Sequence, residues 1–469
     1  MMRFTGRTRW AAAATIAGAM LTVAACSNWK DELLAPQNPG LIDPSAVGNP
    51  AAAMALKVGA IGRIGFVFTC GGNNECLWEE AGSLADEYHN SDFQNTRQDI
   101  DQRSISDDNG TVPWTTVTQN RGFVRDAIAT VKQFLPDSTA DLAEMYMGLG
   151  FLEMSLGENY CNGIPLGHTI SGDITYGSPL TNAQVLDSAA THLDSALSIN
   201  TGTGANATLV RQASLVLKAR ILVDQGKYAA AAALVPASAV PSTYQYQFAT
   251  STAKTGAAND NGIWFINNST ARLSVSDSSE IVNGAPAVTK NALPFASAND
   301  PRIVVKSGKA VSPQVGAEDT STPMFVQLNW GRDTPIAMAS GIDARLIEAE
   351  AKLNASDIPG VMTILNALRA TPPSIGSVTP AAMPALAAPA SQDAAVSLFF
   401  REKAFWTFGR GQRLNDLRRL MRQYKRTEDQ VFPTGSYFKG GTYGHSIQLP
   451  VPNSERANPL FTGCTDRNA

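Results

Sequence analysis

Between positions 78 and 100 the chain mixes rings, acids and amides: Trp78, Glu79, Glu80, Asp86, Glu87, Tyr88, His89, Asn90, Asp92, Phe93 and Asn95. Such a mixture suits a surface that grips a polar ligand through flat faces and hydrogen bonds, and it equally suits an ordinary helix–loop face. The chemistry of hydrolysis is less well served. A glycoside hydrolase needs two carboxyl groups facing across a cleft about 5–10 Å apart, and no motif here places such a pair. The four histidines, His89, His168, His192 and His445, are scattered with no pair at metal-ligand spacing, so neither a metal site nor a cofactor is expected. No Cys–His constellation for nucleophilic catalysis is apparent, and the chain is expected not to be an enzyme.

The five cysteines divide into one and four. Cys26 follows Arg3, Arg7 and Arg9, an uncharged alanine-rich run at 10–25, and the exit Val23-Ala24-Ala25. A basic head, a short apolar middle and a small-residue exit make a secretory signal, 1–25, too short for a comfortable membrane span. The cysteine at the exit resembles a bacterial lipoprotein signal, with Cys26 acylated as the mature N-terminus. Each buried acyl methylene contributes about 0.8 kcal/mol, and more than one chain gives stable anchoring. Asp31-Glu32 resembles the surface-export signal of lipoproteins in the Bacteroidetes. Cys70, Cys76, Cys161 and Cys464 remain, an even number in an oxidising space, which favours disulfides. Of three connectivities, a tight Cys70–Cys76 loop with Cys161–Cys464 is preferred.

Charge narrows the partners. The formal net charge is −4, and without the three signal arginines 34 basic residues face 41 acidic ones. That argues against nucleic acid, which needs a basic face. No second long apolar run is expected to cross a membrane.

The elements that must hold these residues are helical. A strap at 26–50, rich in Pro, Asn and Gly, leads to a first helix at 51–64. Val117, Val124, Ile128, Val131 and Leu135 recur on one face of a helix. Pro136-Asp137-Ser138 stop it and open the next, which carries Leu142, Tyr146, Leu149, Leu152 and Leu156. Thr181 and Gln184 have capping-box spacing. A fourth helix is expected to end before Gly226, and a fifth to run from Tyr228 to the Pro236 stop. Small residues at the contacts (Ala189, Ala213, Ala219, Ala230) suit closely packed helical hairpins, as in tetratricopeptide arrays, interrupted by a Gly/Pro-rich excursion at 161–180. Composition turns to Ser, Thr, Asn, Gly and Pro at 236–340, an irregular insertion with short strands expected at 263–266 and 325–328. Helices resume at 341–353, 360–369 and 392–424, the last bent at Gly409-Arg410-Gly411. The fold class is mainly α: a helical-hairpin scaffold (51–235 and 341–469) bearing the insertion.

Collinear segments then resemble the SusD/RagB family of nutrient-uptake lipoproteins. They include Tyr160-Cys161-Asn162-Gly163-Ile164-Pro165-Leu166, Lys218-Ala219-Arg220, Asp343-Ala344-Arg345-Leu346-Ile347-Glu348-Ala349-Glu350-Ala351, Leu365-Asn366-Ala367-Leu368-Arg369, Arg401-Glu402 through Asp416-Leu417-Arg418-Arg419, and Leu449-Pro450-Val451-Pro452. The family's acid before its Gly-Arg is replaced here by Phe408. The resemblance implies a lipid-anchored outer-membrane protein facing the exterior, which binds a nutrient, commonly an oligosaccharide, and hands it to a SusC-like TonB-dependent transporter. Trp78, Tyr88, Phe93, Trp264 and Trp330 are the candidate sugar platforms, with Asn90, Asp92, Asn95 and Arg332 as polar partners. A peptide ligand, an α-helical glycoside hydrolase and a tethered scaffold for envelope proteins are the competing readings.

Overall fold

The computed structural model describes residues 49–70, 76–106, 109, 111–170, 173–252, 260–282, 285–312 and 315–465. Cys26, the signal and nearly all of the strap lie outside them, as does the loop 71–75. From Pro50 onward the chain forms one compact unit.

Helix α1 (Pro50–Thr69) is longer than its sequence suggested. By length and a mean hydropathy of 1.6 it could also cross a membrane, which corrects the expectation of no second long apolar run. Here it packs on α4 (Thr111–Phe134) and α5 (Thr139–Asn159). Ala53, Leu56, Ala60, Ile64 and Phe68 are buried, while Lys57 pairs with Asp141 and Arg63 donates to Asn120. Between α1 and α4 lie α2 (Leu77–Ala85), strand β1 (Tyr88–Asn90) and α3 (Asn95–Asp101).

The expected hairpins are present. The buried face of α4 carries Val117, Val124, Ile128 and Val131. Helix α5 is enclosed along most of its length and packs against α6 (Asn182–Ile199) and α7 (Ala205–Asp224). The approach is close because Gly148 and Gly150 face Ile64 and Leu193, where a Cβ would collide. The Thr181–Gln184 capping box forms in both directions, at 3.3 and 2.9 Å. Gly226, at φ +72°, turns the chain into α8 (Tyr228–Leu234).

The insertion is closed at its base by a two-stranded antiparallel ladder. Strand β2 (Gln245–Phe248) pairs with β6 (Ile336–Ser340), Gln245 opposite Ser340 and Phe248 opposite Ile336. Inside it, β3 (Leu273–Val275) pairs with β1, and β4 (Val305–Ser307) with β5 (Phe325–Gln327), the expected second strand. The other expected strand is not one. Residues Gly262–Trp264 form a helical turn that continues as a π-helical turn, Phe265–Ser269. The apolar run Ile263-Trp264-Phe265-Ile266 reads as a strand by composition, but short apolar runs do not separate the two states. Asn261 decides it by capping the Trp264 N–H at 3.1 Å, and Asn267 and Asn268 bind the turn to β5.

Past β6, Ser340 caps α9 (Gly341–Asn354) in a second box with Asp343. Helices α10 (Ile358–Ala370) and α11 (Gln392–Thr407) pack on it. The expected bend is a full break before α12 (Arg413–Arg422). Gly409 and Gly411 both sit at φ +69°, and a Cβ on Gly411 would enter the Trp78 ring. Both preferred disulfides are present, with Cα separations of 5.5 Å for Cys70–Cys76 and 5.6 Å for Cys161–Cys464. The second spans 303 positions and ties the C-terminal segment to the end of α5. Long-loop cross-links restrict the unfolded chain most. Replacing Cys161 and Cys464 together by Ala is expected to cost about 2–4 kcal/mol, read as a lowered denaturant midpoint under non-reducing conditions.

Candidate ligand-binding surface

The structure sorts the candidate residues by burial. Trp78 is interior: its Nε1 donates to the Phe68 carbonyl at 2.7 Å, and its ring lies between Phe68 and Phe151. Tyr88 is interior against Phe408, at 5.3 Å. Trp330 is buried, its N–H bonded to Gln327 Oε1 at 2.8 Å. These three expectations are corrected, because a ring with no open face cannot stack a ligand. Asn90 and Asp92 are also buried. Asn90 Nδ2 donates to Asp92 Oδ1 at 3.1 Å, the Asp92 N–H returns to Asn90 Oδ1 at 2.9 Å, and Arg97 Nε donates to Asp92 Oδ2 at 2.6 Å. Their amide and carboxylate build the turn rather than meet solvent.

That turn directs the next residues outward. Phe93 is 72% exposed and Asn95, at the start of α3, is exposed. Beside the turn lies the tip of a hairpin, bridged at Ser436–Thr442, which carries Phe438 and Lys439. Phe438 is half-buried, 5.2 Å from the His89 ring and 4.8 Å from that of Tyr437. Asp319, from the insertion, reaches Lys439 at 2.7 Å. Burial alone would raise the Asp319 carboxyl, but hydrogen bonds from Lys439, Thr322 and Ser321 outweigh it and hold it at about 2. Sequence reasoning missed Phe438, Lys439 and Asp319. A Tyr-Phe-Lys-Gly-Gly run is a ring-bearing turn signal, but nothing in it names its distant partners.

A second ring stands on the insertion. Trp264 is half-buried at the start of the π-helical turn, a form that recurs at functional sites. The Arg332 guanidinium lies 5.8 Å from its ring centroid, and Arg332 Nε donates to buried Asp260 at 2.9 Å. Cation and ring are thus fixed before any ligand arrives. Phe93, Asn95, Trp264 and Arg332 are therefore the candidates left at or near the surface.

No family model and no curated protein matches the chain. Solved structures do. A SusD-like protein from Bacteroides fragilis superposes with a TM-score of 0.60 at 11% identity, over 93% of this chain and 99% of its own. A SusD homolog from Bacteroides thetaiotaomicron gives 0.59 at 14%, over 89% and 97%. Surface glycan-binding protein A from Bacteroides thetaiotaomicron, solved with laminarihexaose, gives 0.59 at 13%, over 89% and 99%. The chain has the SusD-like fold.

In this SusD-like chain the acids near Trp78 line no open cleft. Glu79, Glu80, Asp86 and Glu87 are all buried, and Asp86 accepts from Arg413 Nε and Nη2 at 2.6 and 2.9 Å. A cavity of about 440 Å³ lies elsewhere, between Arg103–Ser104–Ile105 and the extended segment that includes His445 and Gln448, and none of the candidate rings lines it. Glu87, beside Tyr88, is fully enclosed. Burial lifts its carboxyl from 4.5 to about 8, with the Asp86 charge adding to the rise and the Gly409 N–H, donated to Oε1 at 3.0 Å, opposing it. Folding therefore favours protonated Glu87. The stability this proton contributes is full below pH 4.5 and is lost as pH rises toward 8. Glu87→Gln keeps the acceptor and removes the titration. It should flatten the decline in stability between pH 5 and 8 by up to about 1.4 kcal/mol per pH unit, measured by urea unfolding across that range.

Proposed function

We propose that the chain is a SusD/RagB-type lipoprotein, anchored through Cys26 in the outer membrane and facing the exterior. On this reading it binds a nutrient oligosaccharide and delivers it to a SusC-like TonB-dependent transporter. It catalyses no step itself. The observation that carries the reading is a helical scaffold, alike over about nine-tenths of its length to a glycan-bound surface protein, that leaves Phe93 and Trp264 at the surface beside amide and guanidinium groups. Sugars present alternating apolar faces and hydroxyl edges, so exposed rings flanked by fixed polar groups suit them. Each ring contributes on the order of 1 kcal/mol beyond buried area, by analogy with aromatic pairs. A few such contacts give about micromolar to millimolar binding, loose enough for release to a transporter.

A partner is favoured by the outward side of α1, where Met54, Val58 and Phe66 are exposed at 54%, 64% and 36%. The transporter is expected to co-purify with the chain from solubilised membranes. Cys26→Ala is expected to move the chain to the soluble fraction, and its retention in membranes would remove the anchor from the account.

The direct test is titration calorimetry of the purified 27–469 segment against a glycan panel that includes laminarihexaose. Phe93→Ala and Trp264→Ala are each expected to weaken glycan binding about fivefold, with the melting temperature unchanged. Binding of peptides only would move the ligand class, and cleavage of any glycan would defeat the binding-protein reading.

A further inference from the structure

Three stretches far apart in sequence meet at one ammonium group. Lys439 Nζ lies 2.7 Å from Asn90 Oδ1, 2.9 Å from the Asp92 carbonyl and 2.7 Å from Asp319 Oδ2. A lysine ammonium has three N–H donors and no acceptor, so these three oxygens use all of them. The group is largely withdrawn from water, its side chain 14% exposed against 6% for Asp319. This is not the solvated surface pair whose contribution is near zero.

Each oxygen is fixed before the lysine arrives. Asp319 Oδ1 accepts from the Ser321 and Thr322 N–H groups at 2.9 and 2.8 Å, and the Asp319 N–H is bonded to the Ser91 carbonyl at 3.0 Å. The Asp92 carboxylate is already taken by Arg97. The lysine is fixed as well. Its hairpin is closed by the Tyr437 N–H to Gly441 and the Gly440 N–H to Tyr437, with Gly440 and Gly441 at φ +110° and +76°. Tyr437 Oη donates to Asp101 Oδ2 at 2.7 Å, which anchors the hairpin to the end of α3. The Asp92 carbonyl that the ammonium holds belongs to the peptide bond leading directly into Phe93. On the other side the ammonium lies 5.8 Å from the Phe438 ring.

Resting on the reading of Phe93 as a ligand contact, we propose that Lys439 is a positioning residue. Its ammonium clasps the turn before Phe93, the insertion at Asp319 and the hairpin of Phe438, and so presents the two rings as one preformed surface. With every donor engaged it does not touch the ligand. It lowers the ordering cost of binding, since contacts held in place beforehand lose less freedom when a ligand arrives.

Hydrogen exchange tests the clasp without a ligand. In Lys439→Met, which keeps the apolar stem, amides at 88–95 and 319–322 are expected to exchange about tenfold faster, with α5 and α9 unchanged. In Lys439→Ala, added ethylammonium chloride is expected to restore protection where sodium chloride at equal ionic strength does not. Unchanged exchange in both segments overturns the proposal, and so does equal rescue by either salt. Should Lys439→Met unfold throughout, Asp319→Asn loosens the same clasp from the other side, and unaltered exchange at 88–95 there is equally fatal. In the glycan titration, run well below its melting temperature, folded Lys439→Met is expected to bind about tenfold more weakly. Full affinity would remove the positioning role. A wild-type protein that binds no glycan would instead defeat the functional reading, leaving the exchange result to decide the clasp.

Discussion

Buried arginine–carboxylate pairs hold the two ends of this chain together. Arg413 grips Asp86 through two N–H groups, and Arg410 grips Asp343 at 3.2 and 2.6 Å. Arg419 pairs with Glu350, and Arg302 and Arg369 converge on Glu402. Helix α12 and the turn before it meet α2 and α9 through these contacts, and α11 meets α10 and the insertion. Removing one member of such a pair strands a charge in the interior and typically costs about 3–5 kcal/mol, whereas replacing both by apolar groups is often neutral. The pairs therefore enforce one arrangement more than they add net stability. A helix carrying several buried guanidinium groups has few other ways to lie.

That constraint explains the placement of the exposed candidate residues. Arg413 and the Gly409 N–H fix Asp86 and Glu87 just ahead of β1. Strand β1 pairs with β3 of the insertion and then turns sharply at Asn90–Asp92. The insertion is closed at its stem by β2 and β6 and pinned at its middle by β1, so its loops leave from a rigid frame. Binding residues on loops held by such a frame can vary without disturbing the core. The likeness to SusD-like structures at 11–14% identity fits that division, since a scaffold can persist while the contacts it presents diverge.

The interior also places the acids that the sequence sets beside a ring. Acids that in sequence stand beside a tryptophan, as in a hydrolase cleft, are shut inside α2 and the turn after it. Among the described residues the candidate rings left outside are few, Phe93 and Trp264, and Arg332 beside Trp264 already holds Asp260.

Much of the scaffold was legible in the sequence because its signals are local. The Thr181–Gln184 cap, the Pro136 stop and the Gly226 turn each act within a few residues, and each appears as read. The helical 262–269 segment was not legible, because its cross-links to β5 come from chain some 60 residues away and its local cap, Asn261, is itself held by the Thr334 carbonyl. Burial of candidate rings was equally hidden. Trp78 is enclosed by Phe68, Phe151 and Gly411, and Tyr88 by Phe408, contacts that periodicity cannot register. The amino-acid order by itself set the helical hairpins and several of their ends, since those arise from short-range hydrogen bonding and side-chain pattern, and its cysteine count set the parity of the disulfides. Which rings face outward, and that Lys439 joins three segments, was decided only by tertiary packing, because exposure is a property of everything that surrounds a residue and not of its neighbours in the chain.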